Sequence, residues 1–202
     1  MTALDASVEL LDRSLSYTRV ALASVSDADL GRPTPCTGWD LARLLAHMED
    51  SLDAFDEGAS GQVRLDRSVR AGVRVRALQE KACLLLGTWS AEPPTRTRIG
   101  PHLVDTCVLV LAAALEITVH GWDVASSLGL SHPVPDDLAA RLLPAASALV
   151  SADDRGTRFA PELPPPSTSG DSARLLGFLG RQLTGPPRHD MRNRDTGPRA
   201  AS

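Results

Sequence analysis

Aromatic residues are scarce in this chain, 3% of 202 residues. A stacking platform for bases or sugars therefore has little material, and Leu, Val and Ala must fill the core, a composition that favours packed helices. Cysteine is scarce too. Cys36, Cys83 and Cys107 are odd in number and widely spaced, which supports neither a disulfide framework nor a cysteine-rich zinc site and suits a reducing cytoplasm. There is no basic excess: 21 Lys and Arg against 25 Asp and Glu leave a net charge of −4, so the chain lacks the positive face of a dedicated nucleic-acid binder. Lys81 is the single lysine among the basic residues, and no function follows from that. No apolar run reaches bilayer-spanning length, and the opening Met1-Thr2-Ala3-Leu4-Asp5 has neither the basic start nor the apolar stretch of a signal peptide. The expectation is a soluble, cytoplasmic protein that meets neither membrane nor nucleic acid. What is present is 43% apolar residues, enough to build a continuous core in one medium domain.

Periodicity sets the organisation. Leu4, Val8, Leu11, Leu15, Val20 and Leu22 recur near helical spacing and predict a first helix over 4–24. Asp27, Gly31, Pro33 and Pro35 break the next stretch. Thr37, three residues before Asp40, reads as a capping box for a second helix running to about Asp56. A long proline-free stretch, Val63 to Trp89, reads as a third helix, and 91–101, with Pro93, Pro94, Gly100 and Pro101, as a connection. Leu103 to Leu128 is apolar on nearly every side and predicts the most buried helix. Gly129 suits its stop and Pro135 the start of a fifth helix to Val150, with Pro144 marking a kink or early end. Prolines between Gly156 and Gly170 predict extended chain, and Ser172 to Gln182 a short closing helix. No repeat or alternating strand pattern is visible. The fold class is all-α: an up-down four-helix bundle over 1–130, a C-terminal helical extension over 131–184 packed on it, and a disordered tail over 185–202.

The chemistry concentrates on the fourth helix. Glu116 and His120 are four residues apart, so both project from one face and could share an ion. Their neighbours are Leu109, Val110, Leu111, Leu115, Ile117 and Val119, and a carboxylate buried among such residues needs a partner to offset its desolvation. A cation is one such partner; a plain Glu–His hydrogen bond that steadies a core helix is the other reading. His47, in Leu44-Leu45-Ala46-His47-Met48, is by itself a core histidine. Inside a bundle it could join Glu116 and His120 to give two nitrogens and one oxygen, a three-donor set that leaves a position open for water or substrate.

Two motifs in the right order carry a resemblance. Thr34-Pro35-Cys36-Thr37-Gly38-Trp39-Asp40 followed by Leu44-Leu45-Ala46-His47, and Glu116-Ile117-Thr118-Val119-His120-Gly121-Trp122-Asp123, resemble the mycothiol-dependent maleylpyruvate isomerase-like metal-binding proteins, an actinobacterial branch of the DinB-like superfamily. Arg158-Phe159 and Leu175 to Arg181 extend the likeness, so that it covers about 1–183. It implies a DinB-like fold and a metal held by His47, Glu116 and His120. Zn²⁺ is the first candidate, though two His and one carboxylate also accept Ni²⁺, Fe²⁺ or Mn²⁺. The resemblance further implies a thiol such as mycothiol, activated at the metal for attack on a small electrophilic substrate, which gives an isomerase or a thiol S-transferase. Between Asp56 and Gly100 little matches, and that region is expected to shape the substrate side of the cavity.

The other candidates carry plainer meanings. Asp123 stands three residues after His120 and could orient it, while Trp39-Asp40 and Trp122-Asp123 also read as packing with capping. Cys36 lies just before a helix N-terminus, where a dipole can lower a thiol pKa, but a structural cysteine is the commoner case. Arg67, Arg70 and Arg74 form a stripe that could meet an anion and more simply face solvent. His102, His132 and His189 are not expected as ligands. Two alternatives stay open: a thiol-independent metalloenzyme of specialised metabolism, and a non-catalytic bundle that holds a metal or small molecule. Either a monomer or a homodimer is compatible with the sequence.

Overall fold

The computed structural model describes residues 2–63, 75–91, 93–164 and 169–183. The Arg67, Arg70 and Arg74 stripe, His189 and the expected tail over 185–202 lie outside the described residues. Among the described residues six α-helices form, α1 (Ala3–Leu22), α2 (Leu41–Ala59), α3 (Val75–Ser90), α4 (Thr106–Ser127), α5 (Asp136–Leu149) and α6 (Asp171–Phe178). The all-α bundle with its C-terminal helical extension is the observed architecture.

Each helix start has a local cause. Thr2 caps α1 through a reciprocal box, Asp5 N donating to Thr2 Oγ1 at 3.1 Å and Thr2 N to Asp5 Oδ2 at 2.7 Å, so two free donors are satisfied. At α2 the cap is Asp40, whose Oδ1 accepts from Arg43 N at 2.8 Å. This corrects the reading of Thr37 as the cap: Gly38 takes φ +75° and turns the chain before the helix begins. Helix α4 stops where expected. Gly129 adopts φ +71°, and Leu130 N reaches back to Ala125 O at 2.9 Å, closing the last turn in the way glycine alone does without strain. Pro144 neither ends nor shortens α5. It sits on the exposed face, as does Ala140 four residues earlier, so the carbonyl it deprives of a donor turns to water.

Four helices close a ring in which α1 packs on α4, α4 on α2, α2 on α3 and α3 on α1. His47 lies against Glu116 and Gly58 against Leu109, so α2 and α4 are antiparallel. Asp53 meets Lys81 and Asp56 meets Thr88, so α2 and α3 share a direction, a refinement of the simple alternating order. The tightest approach is at Gly121, where a Cβ would collide with Thr18; Thr18 Oγ1 instead donates to Ile117 O at 2.8 Å. Helix α5 packs on α4 and α1, and α6 on α5. Tyr17 and His132 stack with ring centroids 4.3 Å apart, pinning the α4–α5 connection to α1.

Three differences from expectation have physical reasons. A small sheet orders β1 (Gln62–Val63), β2 (Arg96–Ile99) and β3 (His102–Asp105), with β1 parallel and β3 antiparallel to β2. These strands are too short to show alternation in sequence. Thr97 alone in β2 is buried, its Oγ1 donating to Gly58 O at 2.8 Å, and because β3 takes residues 102–105, α4 starts at Thr106 rather than Leu103. Val63, expected to open the third helix, instead pairs with Ile99 as part of β1, and the helix is described from Val75 to Ser90, residues 64–74 lying outside the described residues. Finally, α4 does have the length and apolarity of a membrane span, with mean hydropathy 1.6, contrary to the expectation that no run does; 72% of that window is buried inside the bundle.

Candidate metal centre

Helices α2 and α4 bring the three sequence-predicted donors to one point. His47 Nε2 lies 2.6 Å and His120 Nε2 3.2 Å from the same oxygen, Glu116 Oε1. The two imidazole rings are perpendicular, with centroids 5.0 Å apart, so their nitrogens face the carboxylate from two directions. Ser51 Oγ adds a longer contact to that oxygen at 3.4 Å. One donor atom from each of His47, Glu116 and His120 falls within 4.8 Å of the others, a spacing one cation can span.

The other edge of His120 is held. Its Nδ1 lies 2.9 Å from Asp123 Oδ2; with a proton on Nδ1 donated to that carboxylate, the Nε2 lone pair is left for a ligand bond. Asp123 is fully buried and receives Arg181 Nη2 at 2.8 Å and Nε at 3.3 Å. Cys36 Sγ donates to Asp123 Oδ2 at 3.4 Å and accepts from Arg181 Nη2 at 3.6 Å. The 34–40 turn delivers Cys36: Thr34 Oγ1 donates to Trp39 O and accepts from Cys36 N. The same turn sets Trp39 edge-on to His47 with centroids 5.1 Å apart, and Arg43 lies over the indole.

Charge explains the proton balance. For Glu116, burial alone would raise the pKa, but the His120 charge and the hydrogen bonds from His120 and His47 outweigh it and hold the carboxyl well below the usual range. For His120, burial works against the charged form, yet the Glu116 charge, with bonds to Asp123, Cys36 and Glu116, holds its pKa well above the ordinary imidazole value. Burial likewise opposes ionisation of Asp123; the Arg181 charge and the His120 and Arg181 hydrogen bonds bring it down to about 2. A carboxylate between two imidazoles, one of which must keep an extra proton to face it, is a donor set that a divalent cation can satisfy in place of that proton.

The cluster forms the floor of a cleft of about 1050 Å³. One wall is α2 and α4; the other is the extension, with Val150, Phe159 and Arg181 among its residues. Among the described residues the lining beyond α2 and α4 comes from the 35–39 turn and from the chain after α4; residues 64–74 of the stretch expected to shape the substrate side lie outside the described residues. Asp123 stands where the sequence suggested, against His120, rather than in a capping role. His102 lies on β3 and His132 on Tyr17, away from the donors. Arg181 enters the sequence reading only as the end of the resembling stretch 175–181, with no site role, and Ser51 not at all. Ser51 is one turn beyond His47 on the same face and could have been found by spacing; Arg181 carries no local signal.

Residues 11–125 match the family described as mycothiol maleylpyruvate isomerase N-terminal domain. Two relatives from Mycobacterium tuberculosis, the uncharacterized proteins MT0763 and Rv0738, are each 30% identical over 175 residues, covering 80% of this chain and 90% of the relative. Among solved structures, the mycothiol-dependent maleylpyruvate isomerase superposes with a TM-score of 0.61 at 16% identity, covering 90% of this chain and 91% of that one. A single-site mutant of that enzyme gives 0.60 at 14% identity, with 91% and 96% covered. At such identities the likeness shows the fold.

Proposed function

This chain belongs to the mycothiol maleylpyruvate isomerase N-terminal domain family, and we propose that it is a soluble, cytoplasmic metalloenzyme using mycothiol or a similar small thiol to isomerise or conjugate a small electrophile. The observation that carries this reading is the convergence of His47 Nε2, Glu116 Oε1 and His120 Nε2 at the floor of a cleft with room for a thiol and a second molecule. These three side chains would hold one divalent cation, Zn²⁺ first among the metals their chemistry accepts. When bound, the cation supplies a Lewis-acidic charge that lowers the pKa of a thiol reaching it.

The chain's own residues set the geometry. Asp123 accepts a hydrogen bond from His120 Nδ1–H and fixes the ring's orientation and tautomer. Arg181 holds both oxygens of Asp123, Nη2 on the same Oδ2 that faces His120 and Nε on Oδ1, so the extension completes a site that starts on α2 and α4. Trp39 packs against the His47 ring and limits its rotation. Attack of a thiol on an activated double bond followed by its elimination isomerises the bond, and attack without elimination leaves a conjugate. Neither course needs a protein nucleophile.

Elemental analysis of untagged protein, wild type beside His47→Ala and His120→Ala, tests the reading together with a maleylpyruvate assay run with and without mycothiol. Near one equivalent of metal in the wild type, its loss in both variants, and thiol-dependent turnover of an electrophile are expected. A wild type that stays metal-free after reconstitution overturns it.

A further inference from the structure

Behind the metal centre, among the described residues, a second cavity of about 910 Å³ opens between α1, α2 and α3. Its walls are mostly aliphatic, with Leu15 and Leu22 of α1, Met48 and Leu52 of α2 and Leu78 and Leu86 of α3, and carry a few uncharged polar groups such as Thr18 and Gln79. Of its charged lining residues, Asp12 and Arg19 are exposed and so stand at the mouth. The third is Glu116, which with Ser51 lines both this cavity and the cleft on the other side. Glu116 is thus a partition between two spaces. That explains why 30% of its side chain is exposed although it projects from the most buried helix.

We propose that this second cavity is a binding chamber for an uncharged apolar group, an alkyl or aryl moiety of the molecule whose reactive end lies at Glu116. The part about the reactive end rests on the function proposed above. Apolar walls give water few partners, and a cavity of this size is in the range that takes a small organic ligand. A charged tail would lose its hydration without a partner beyond the mouth. A partner helix would cover the mouth and leave the floor at Glu116 unfilled, so a small molecule is the occupant that matches the depth. Helix α3 then shapes the substrate side through this chamber.

The test is uptake of the neutral fluorophore N-phenyl-1-naphthylamine by the full-length protein, followed by its displacement with a series of straight-chain alcohols. The expected result is saturable uptake and displacement that tightens about fourfold per added methylene, the gain for moving one such group out of water. Ala82→Trp and Ser16→Phe fill the chamber from its α3 and α1 walls. Each should weaken uptake by about fifteenfold, roughly the worth of two methylenes, with circular dichroism and metal content unchanged; having two variants guards against one that misfolds. Uptake equal in the wild type and both filled variants overturns the proposal, as does no uptake by the wild type. A wild-type dimer that takes up no probe and is split by Val20→Glu would assign the groove to a second copy and overturn it as well. Metal content on the same samples separates the two readings. Metal-free protein that binds the probe and loses it in the filled variants supports the chamber and sinks the metalloenzyme; metal-loaded protein that binds none does the reverse.

Discussion

The two edges of the His120 ring face polar clusters of opposite character. On the Nε2 side one carboxylate, Glu116, meets two imidazoles and is open to the cleft, with 30% of its side chain exposed. On the Nδ1 side Asp123 has no exposure at all, and its charge is matched by Arg181. In the first cluster the positive charge facing Glu116 is an imidazole proton that a cation can replace; in the second it is the fixed guanidinium of Arg181. A buried carboxylate matched by a permanent charge is a structural pair, whereas one matched by an exchangeable proton beside a cleft is able to take a cation instead.

Substitutions on each edge should separate these characters. The largest effect is expected from Glu116→Gln, which removes the anionic donor: metal should fall from near one equivalent to background in elemental analysis, while helical content persists. Retained metal would erase the distinction between the two edges. On the closed edge, Arg181→Ala strands a buried carboxylate and should cost about 3–5 kcal/mol in denaturant unfolding. Replacing the pair together, as Asp123→Leu with Arg181→Met, should recover most of that stability while leaving His120 unheld, so a double variant no more stable than Arg181→Ala would contradict the closed-pair view. Asp123→Asn keeps the shape but weakens the hold on Nδ1, and metal affinity measured by chelator competition should drop by about 10–100-fold. The smallest effect belongs to a position outside both clusters: Asp40→Ala removes the α2 cap and should lower stability by about 1 kcal/mol with full metal occupancy.

Much of this was legible beforehand because it is local. The periodicity of α1 and α4, the stop at Gly129 and the start of α5 after Pro135 all depend on neighbours a few residues away. The four-residue step from Glu116 to His120 puts both on one face wherever the helix packs. Motif likeness then tied His47 to that pair. Thr37 misled because a threonine three residues before an acid suits a cap equally well on paper; the positive φ at Gly38 moves the helix start to Asp40. The short strands escaped because four residues with one buried side chain leave no alternation to read.

By itself the sequence determined the helices, the apolar core and the pair of donors on α4, since each follows from backbone geometry and from which side chains leave water. Tertiary structure alone decided that Arg181, 58 positions beyond Asp123, would neutralise it, and that Cys36 would lie against Arg181 across 145 positions. It also decided that Glu116 would stand between two cavities. Such contacts join segments with no shared period, and they exist only because the packing of α2, α4 and the C-terminal extension closes the distance.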